Sequence, residues 1–287
     1  MVDDMSEKPP IPLVDLVAHY REFKSKRRAD GKLIPGSYRS QKARIELAEQ
    51  YKDHPEQLVE LFARSVSAFD SYANPDEEFV GTTRVDPPKI KTLAEIETGP
   101  KAAAYLKYRN PNISIEGLGD YLYVDREVEP ARTTIKSATM ANQYDDEART
   151  RSTSAISADL LLRSLLDGRP TVGEVKLSTA SGDDADPFYA LIQALALASQ
   201  LASANQRGRL RRYYEGFAED GPLDVLVFLF LMGEYQGKRT HRKELVDLAS
   251  GLCQLLDRGL LHPNVERVAL VRVTSERDRL RFSVDGI

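Results

Sequence analysis

Ser157-Ala158-Asp159-Leu160-Leu161-Leu162-Arg163, followed across a short polar turn by Thr171-Val172-Gly173-Glu174-Val175-Lys176, decides how this chain is read. Residues 156–166 are rich in Leu and Ile, and residues 171–178 carry Val, Val and Leu, so both predict strands. Between them lies Leu166-Asp167-Gly168-Arg169-Pro170. Asp-Gly is the favoured centre of a two-residue type I′ hairpin turn. With Asp167 and Gly168 as that turn, Leu166 faces Arg169, Asp159 faces Lys176, and Glu174 lies on the diagonal from Asp159. Side chains alternate between faces along a strand, so Asp159, Glu174 and Lys176 share one face. Diagonal neighbours stand roughly 7–8 Å apart at the backbone, close enough for two carboxylates to grip one ion. Leu160, Leu162, Val175 and Leu177 fall on the other face as a core. A three-residue turn would send Asp159 to that core face instead.

Working outward, the polar loop Ser181–Asp186 leads into Phe188 to about Asn205, an Ala- and Leu-rich helix suited to burial against a sheet. Leu223–Met232 is a continuous apolar run, as expected of a central strand covered on both faces. A helix is expected at about 241–258, ending near Gly259. Val265–Val273 and Arg279–Val284 read as a closing antiparallel pair. Upstream, Tyr121–Val128 starts the set of strands, after a helix around 93–109 interrupted at Gly99-Pro100. The order predicts a mixed sheet of α/β or α+β type. Residues 1–92 form a helical N-terminal region, with helices at 38–52 and 55–70 and a linker at 71–92. Residues 93–287 form the domain that carries the hairpin.

Asp159, Glu174-Val175-Lys176 and an apolar helix carrying Gln193 resemble the PD-(D/E)xK nuclease superfamily, closest in flavour to its RecB-type exonuclease branch. The matching pieces are Ala158-Asp159-Leu160, Gly173-Glu174-Val175-Lys176-Leu177-Ser178-Thr179 and Phe188-Tyr189-Ala190-Leu191-Ile192-Gln193. The resemblance implies a restriction-endonuclease-like core and a nuclease hydrolysing phosphodiester bonds in DNA. It implies Mg²⁺ or Mn²⁺ held by Asp159, Glu174 and the carbonyl of Val175. Lys176 would then orient or activate the attacking water, with Gln193 in support. The RecB-type helix usually carries Tyr four residues after that Gln, where this chain has Leu197. No acidic residue of the first helix can be assigned to the site.

The chemistry suits these residue types. Mg²⁺ prefers carboxylates, carbonyls and water, and Lys is a compact point charge able to sit against a phosphate. Acid-x-Lys recurs at Glu22-Phe23-Lys24 and Asp30-Gly31-Lys32, but only the copy at 174–176 follows a strand carrying Asp and precedes an apolar helix. Two other readings stand beside the enzyme. One is an inactive protein of the same fold that binds nucleic acid or a partner protein. The other is an unrelated interaction domain with a surface hairpin and an ordinary cross-strand ion pair.

At 287 residues with 41% hydrophobic and 29% charged residues, the chain fits a globular protein of one large or two modest domains. Its single cysteine, Cys253, excludes an intrachain disulfide and lies in an apolar helix as a small core residue. No secretory signal is visible and the apolar runs are too short for a membrane span, so a cytoplasmic protein without membrane contact is expected. The net charge of −4 argues mildly against tight non-specific nucleic-acid binding. Three basic clusters, within 20–44, at Arg207–Tyr214 and at Lys238–Lys243, could nonetheless contact phosphates. DNA is the expected partner, with RNA, self-association and a larger complex left open. The four histidines lack metal-ligand spacing, and there is no Walker loop or dinucleotide glycine fingerprint.

Overall fold

The computed structural model describes residues 11–22, 37–72, 90–128 except 91 and 97, 157–177, 186–231, 240–276 and 279–285. Most of the linker expected at 71–92 and of the polar loop expected at Ser181–Asp186 lies outside the described residues. The helices are α1 (Pro12–Glu22), α2 (Ser37–Asp53), α3 (Pro55–Tyr72), α4 (Gly99–Arg109), α5 (Pro187–Leu201), α6 (Ala204–Tyr213) and α7 (Thr240–Leu256). The strands are β1 (Asn112–Glu116), β2 (Gly119–Asp125), β3 (Leu160–Ser164), β4 (Pro170–Leu177), β5 (Leu223–Phe230), β6 (Val265–Glu276) and β7 (Arg279–Val284).

The strands lie in chain order and form one mixed sheet. β1 through β4 run as an antiparallel meander, β5 and β6 continue parallel to β4, and β7 returns antiparallel to β6. The mixed α/β class expected from the sequence is what forms. Closure of the sheet was not foreseen. Ile115 and Glu116 of β1 pair in parallel with Phe282 and Ser283 of β7, which rolls the sheet into a barrel. The cause is β1 itself, a five-residue strand that sequence reading passed over. Its buried residues, Ile113 and Ile115, alternate with exposed Asn112, Ser114 and Glu116, and the Gly117–Gly119 turn folds it onto β2.

The two sheet faces carry separate cores. The inner face, with Leu160, Leu162, Val175, Leu177, Phe228 and Val271, closes on Ala102–Leu106 of α4. The predicted core face of the hairpin is therefore correct. The outer face, with Leu161, Val172, Val225, Val227 and Leu270, is covered by α5 and α7. Helices α1, α2 and α3 join this same outer cluster through residues such as Leu13, Ala48 and Phe62, each fully buried. The long apolar helix ends sooner than expected: α5 stops at Leu201, and Ser203 caps α6 by accepting the Gln206 amide.

The hairpin register needs correction. Leu160 pairs with Gly173 and Arg163 with Pro170, two positions from the expected alignment. Asp167-Gly168 does lie in the turn, but the loop spans Leu165–Gly168. Ser164 N–H bonds Arg169 O and Gly168 N–H bonds Ser164 O. Gly168 takes a left-handed φ of 75° at the end of that loop, the geometry that longer hairpin loops place on glycine. Because the displacement is even, every side chain keeps its predicted face.

At the other end of β4, Asp224 ties three strands together. It is 1% exposed, accepts from the Tyr121 hydroxyl at 3.1 Å and from Arg169 at 3.5 Å. Burial, opposed by Arg169, pushes its pKa up to about 6.

Gly168→Ala should lower stability by about 1–2 kcal/mol, the cost of a left-handed L-residue. Its Cβ would also sit 3.1 Å from Gly216 O. Gly208→Ala, in α6 with open space at the Cβ position, should raise stability by up to about 1 kcal/mol. Urea unfolding of the two variants compares them directly. The folded protein holds the Asp224 proton more tightly than the unfolded chain does. That contribution to stability is complete below the unfolded carboxylate value and is lost as pH rises through about 6. Wild type should therefore lose roughly 2–3 kcal/mol between pH 4 and 7 that Asp224→Asn does not lose.

Candidate active site

The site begins where β3 parts from β4. Leu160 is the first β3 residue to pair with β4, opposite Gly173. Just upstream, Ala158 is bridged to Val128 by hydrogen bonds of 2.9 and 3.0 Å in both directions. Asp159 is thus pinned between two backbone anchorages. β3 supplies no ladder partner for β4 beyond Gly173, so the Val175 amide must find another acceptor. Asp159 Oδ2 accepts it at 2.8 Å.

That bond sets the carboxyl of Asp159 against that of Glu174. Glu174 is 1% exposed and its Oε1 has no hydrogen-bond partner. Burial holds the Glu174 pKa well above the usual carboxylate range, the Asp159 charge adds to the rise, and Lys176 acts against it. Lys176 is also buried, and its Nζ donates to Gln193 Oε1 at 3.2 Å. The same Nζ lies 5.3 Å from the ring centre of Tyr189, one helical turn before Gln193 on α5. Asp159 and Gln193 are half-buried, so they form the more open side of the cluster.

All of the predicted residues meet here. Asp159, Glu174, Lys176 and Gln193 share one place, and the Val175 carbonyl borders it. Asp159 does not face Lys176 as the two-residue turn required; the observed register aligns it with Glu174 instead. This draws the two carboxyls closer together than the diagonal arrangement would have done, and Lys176 turns to Gln193 and Tyr189.

Sequence reading missed four contributors. Gly99 opens α4, with Thr98 as its N-cap, where a helix break was expected. A Cβ on Gly99 would sit 3.4 Å from Val175 O and 3.8 Å from Asp159 Oδ2, so glycine keeps clear the space that both oxygens border. Asp186 caps α5 by accepting the Tyr189 amide at 3.0 Å, and it is buried. Asp-Pro ahead of an apolar helix was a readable capping signal. Tyr20 donates to Asp186 Oδ2 at 2.6 Å and Arg44 reaches the same oxygen at 3.4 Å. Neither carried a local signal, because each meets the site from over a hundred residues away.

The donor set suits a hard divalent cation. Glu174 Oε1 is unsatisfied, Asp159 Oδ2 and Val175 O both lie within 4 Å of where a Cβ on Gly99 would stand, and every candidate ligand is oxygen. Among the described residues no group of three or more His, Cys, Asp or Glu side chains converges, so two carboxylates and a main-chain carbonyl are the available ligands.

Much of the basic clusters within 20–44 and at Lys238–Lys243 lies outside the described residues. Arg209 is buried, Arg207 donates to Leu201 O at 3.3 Å, and Arg211 pairs with Glu219 at 3.7 Å. Arg212 stays exposed. Arg44 is spent on Asp186. Lys238 and Arg239 lie outside the described residues. Cys253 is buried in α7, as expected, and burial pushes its thiol pKa up. Among the described residues no single helix is long and apolar enough to cross a membrane.

Glu174→Gln should make the stability of the metal-free protein less dependent on pH than that of wild type, because the amide cannot ionise. The folded state resists ionising Glu174, so wild-type stability declines as pH rises through its elevated pKa, whereas the two proteins converge in acid. Thermal melts with chelator at pH 4, 6 and 8 give the comparison.

No protein-family model, curated protein or solved structure matches this chain.

Proposed function

We propose that the protein is a metal-dependent nuclease that hydrolyses phosphodiester bonds in DNA, built on a restriction-endonuclease-like core. The observation that carries this is the buried, unpartnered Glu174 Oε1 lying against Asp159, with Lys176 two residues further on. The sheet order adds support. An antiparallel β2–β3–β4 meander is followed by a helix and then by β5 parallel to β4. The Asp strand, the Glu-x-Lys strand and the Gln helix follow one another in the chain, and that succession supports the reading. We further infer a cytoplasmic protein.

Asp159, Glu174 and the Val175 carbonyl would hold Mg²⁺ or Mn²⁺. A divalent cation there supplies Lewis acidity toward a phosphoryl oxygen and the attacking water. The chain's own contribution is positional and electrostatic. Val175 N–H fixes the Asp159 carboxylate, so one ligand is oriented before any cation arrives. Gln193 and the Tyr189 ring fix the Lys176 ammonium beside the carboxylates. From there it offers charge to a scissile phosphate or a hydrogen bond to the nucleophile.

A second reading draws on the burial of Glu174 and Lys176, which are 1% and 6% exposed. On it, the protein keeps the fold and binds nucleic acid or a partner protein without cutting.

Mn²⁺ titration followed by electron paramagnetic resonance, paired with cleavage of plasmid and linear DNA, separates the two. The nuclease should bind Mn²⁺ and cut DNA. Asp159→Asn and Glu174→Gln should lose both. Lys176→Ala should keep Mn²⁺ and lose cleavage by roughly 10²–10³-fold, the scale of one electrostatic donor. Gly99→Ala should weaken Mn²⁺ binding at least about tenfold while still folding, because its methyl enters the space beside Val175 O. Wild-type cleavage by Glu174→Gln would falsify the assignment. DNA binding with neither Mn²⁺ uptake nor cutting would favour the second reading.

A further inference from the structure

We propose that Tyr20 and Arg44, on the N-terminal helices α1 and α2, are positioning residues that hold the Lys176 ammonium at the active centre. The catalytic half of this inference rests on the nuclease reading above. Four side chains make one continuous stack. Lys176 Nζ lies 5.3 Å above the Tyr189 ring centre. Tyr189 stacks on Tyr20 at 5.4 Å with an interplanar angle of 9°. The Arg44 guanidinium caps the Tyr20 ring at 5.0 Å. Each cation thus sits over an aromatic face, where the ring quadrupole attracts it, and two parallel rings fill the space between.

Asp186 locks the stack from the side. Its carboxylate accepts from the Tyr20 hydroxyl, from Arg44 and from the Tyr189 backbone amide. The Tyr20 side chain therefore cannot swing out of the stack without breaking a 2.6 Å buried hydrogen bond. Lys side chains carry much rotamer freedom. Here Gln193 fixes one direction of the ammonium and the Tyr189 ring a second, which leaves the third for a ligand at the carboxylates. Tyr20 and Arg44 are tied to Asp186 and reach Lys176 by way of the Tyr189 ring. Their influence runs through Tyr189, and so the N-terminal helices belong to the active centre.

The test uses the full-length protein labelled with ¹³C at lysine Cε. Proton–carbon spectra report the ring-current shift of the Lys176 ε-methylene, assigned by its loss in Lys176→Arg. Wild type should show this resonance displaced upfield. Tyr189→Leu should abolish the displacement. Tyr20→Leu and Arg44→Gln should reduce it and broaden the signal, with folding checked by circular dichroism. Tyr20→Phe keeps the ring and should restore the shift, together with most of the turnover lost in Tyr20→Leu. In cleavage assays Tyr20→Leu should lower kcat about tenfold with KM and Mn²⁺ affinity nearly unchanged. A wild-type Lys176 resonance without an upfield shift, or one left unaltered in folded Arg44→Gln and Tyr20→Leu, overturns the stack. A Tyr20→Leu protein with wild-type kcat overturns its catalytic role. If wild type cuts no DNA, the nuclease reading fails while the lysine resonance still decides the stack.

Discussion

The bond from Val175 N–H to Asp159 Oδ2 is the constraint on which the site depends. An antiparallel pair that continued past Leu160 and Gly173 would satisfy Val175 with backbone and leave no cleft. Instead the chain turns aside at Asp159, and Ala158 pairs with Val128 of the preceding segment. A side-chain oxygen then does the work of the missing strand. One interaction completes the β4 ladder and sets a carboxylate beside the Val175 carbonyl, both close to Gly99. Loss of that carboxylate would strand a buried amide as well as a candidate ligand.

Opposing demands meet at β4. Its inner residues Val175 and Leu177 build the barrel core with α4, while its outer face carries Glu174 and Lys176. Two ionisable groups on a buried strand are costly to desolvate. The helices answer unequally. Gln193 and Tyr189 of α5 give Lys176 a hydrogen bond and an aromatic face, whereas Glu174 keeps an unsatisfied oxygen and an elevated pKa. This asymmetry is what makes the pair interesting chemically.

Around this centre the outer layer is cooperative. α1, α2 and α3 share one apolar cluster with α5 and α7, and the buried Asp186 joins α1, α2 and α5 by charge-assisted hydrogen bonds. Asp186 is costly to bury, and burial raises its pKa, but its partners Tyr20, Tyr189 and Arg44 pull the other way. The N-terminal helices thus lie against the same helix that presents Gln193.

Local pattern alone determined much of this protein. Alternation along 159–177 assigned Leu160, Leu162, Val175 and Leu177 to the core and Asp159, Glu174 and Lys176 to the other face, because side-chain direction has period two whatever the partner. It also located α2, α3, α5, α7 and the closing β6–β7 pair, whose apolar periodicity is strong. Register was decided elsewhere. The four-residue loop is held by Arg169 and by Ala218 bonding Gly168, contacts that the dipeptide Asp-Gly does not encode. β1 escaped notice because five residues with two buried isoleucines gain definition only when β2 and β7 flank them. Gly99, Tyr20 and Arg44 reach the centre across long chain separations. Tertiary packing alone chose them, since a hydrogen bond or a ring stack depends on proximity in space and leaves no period in the sequence.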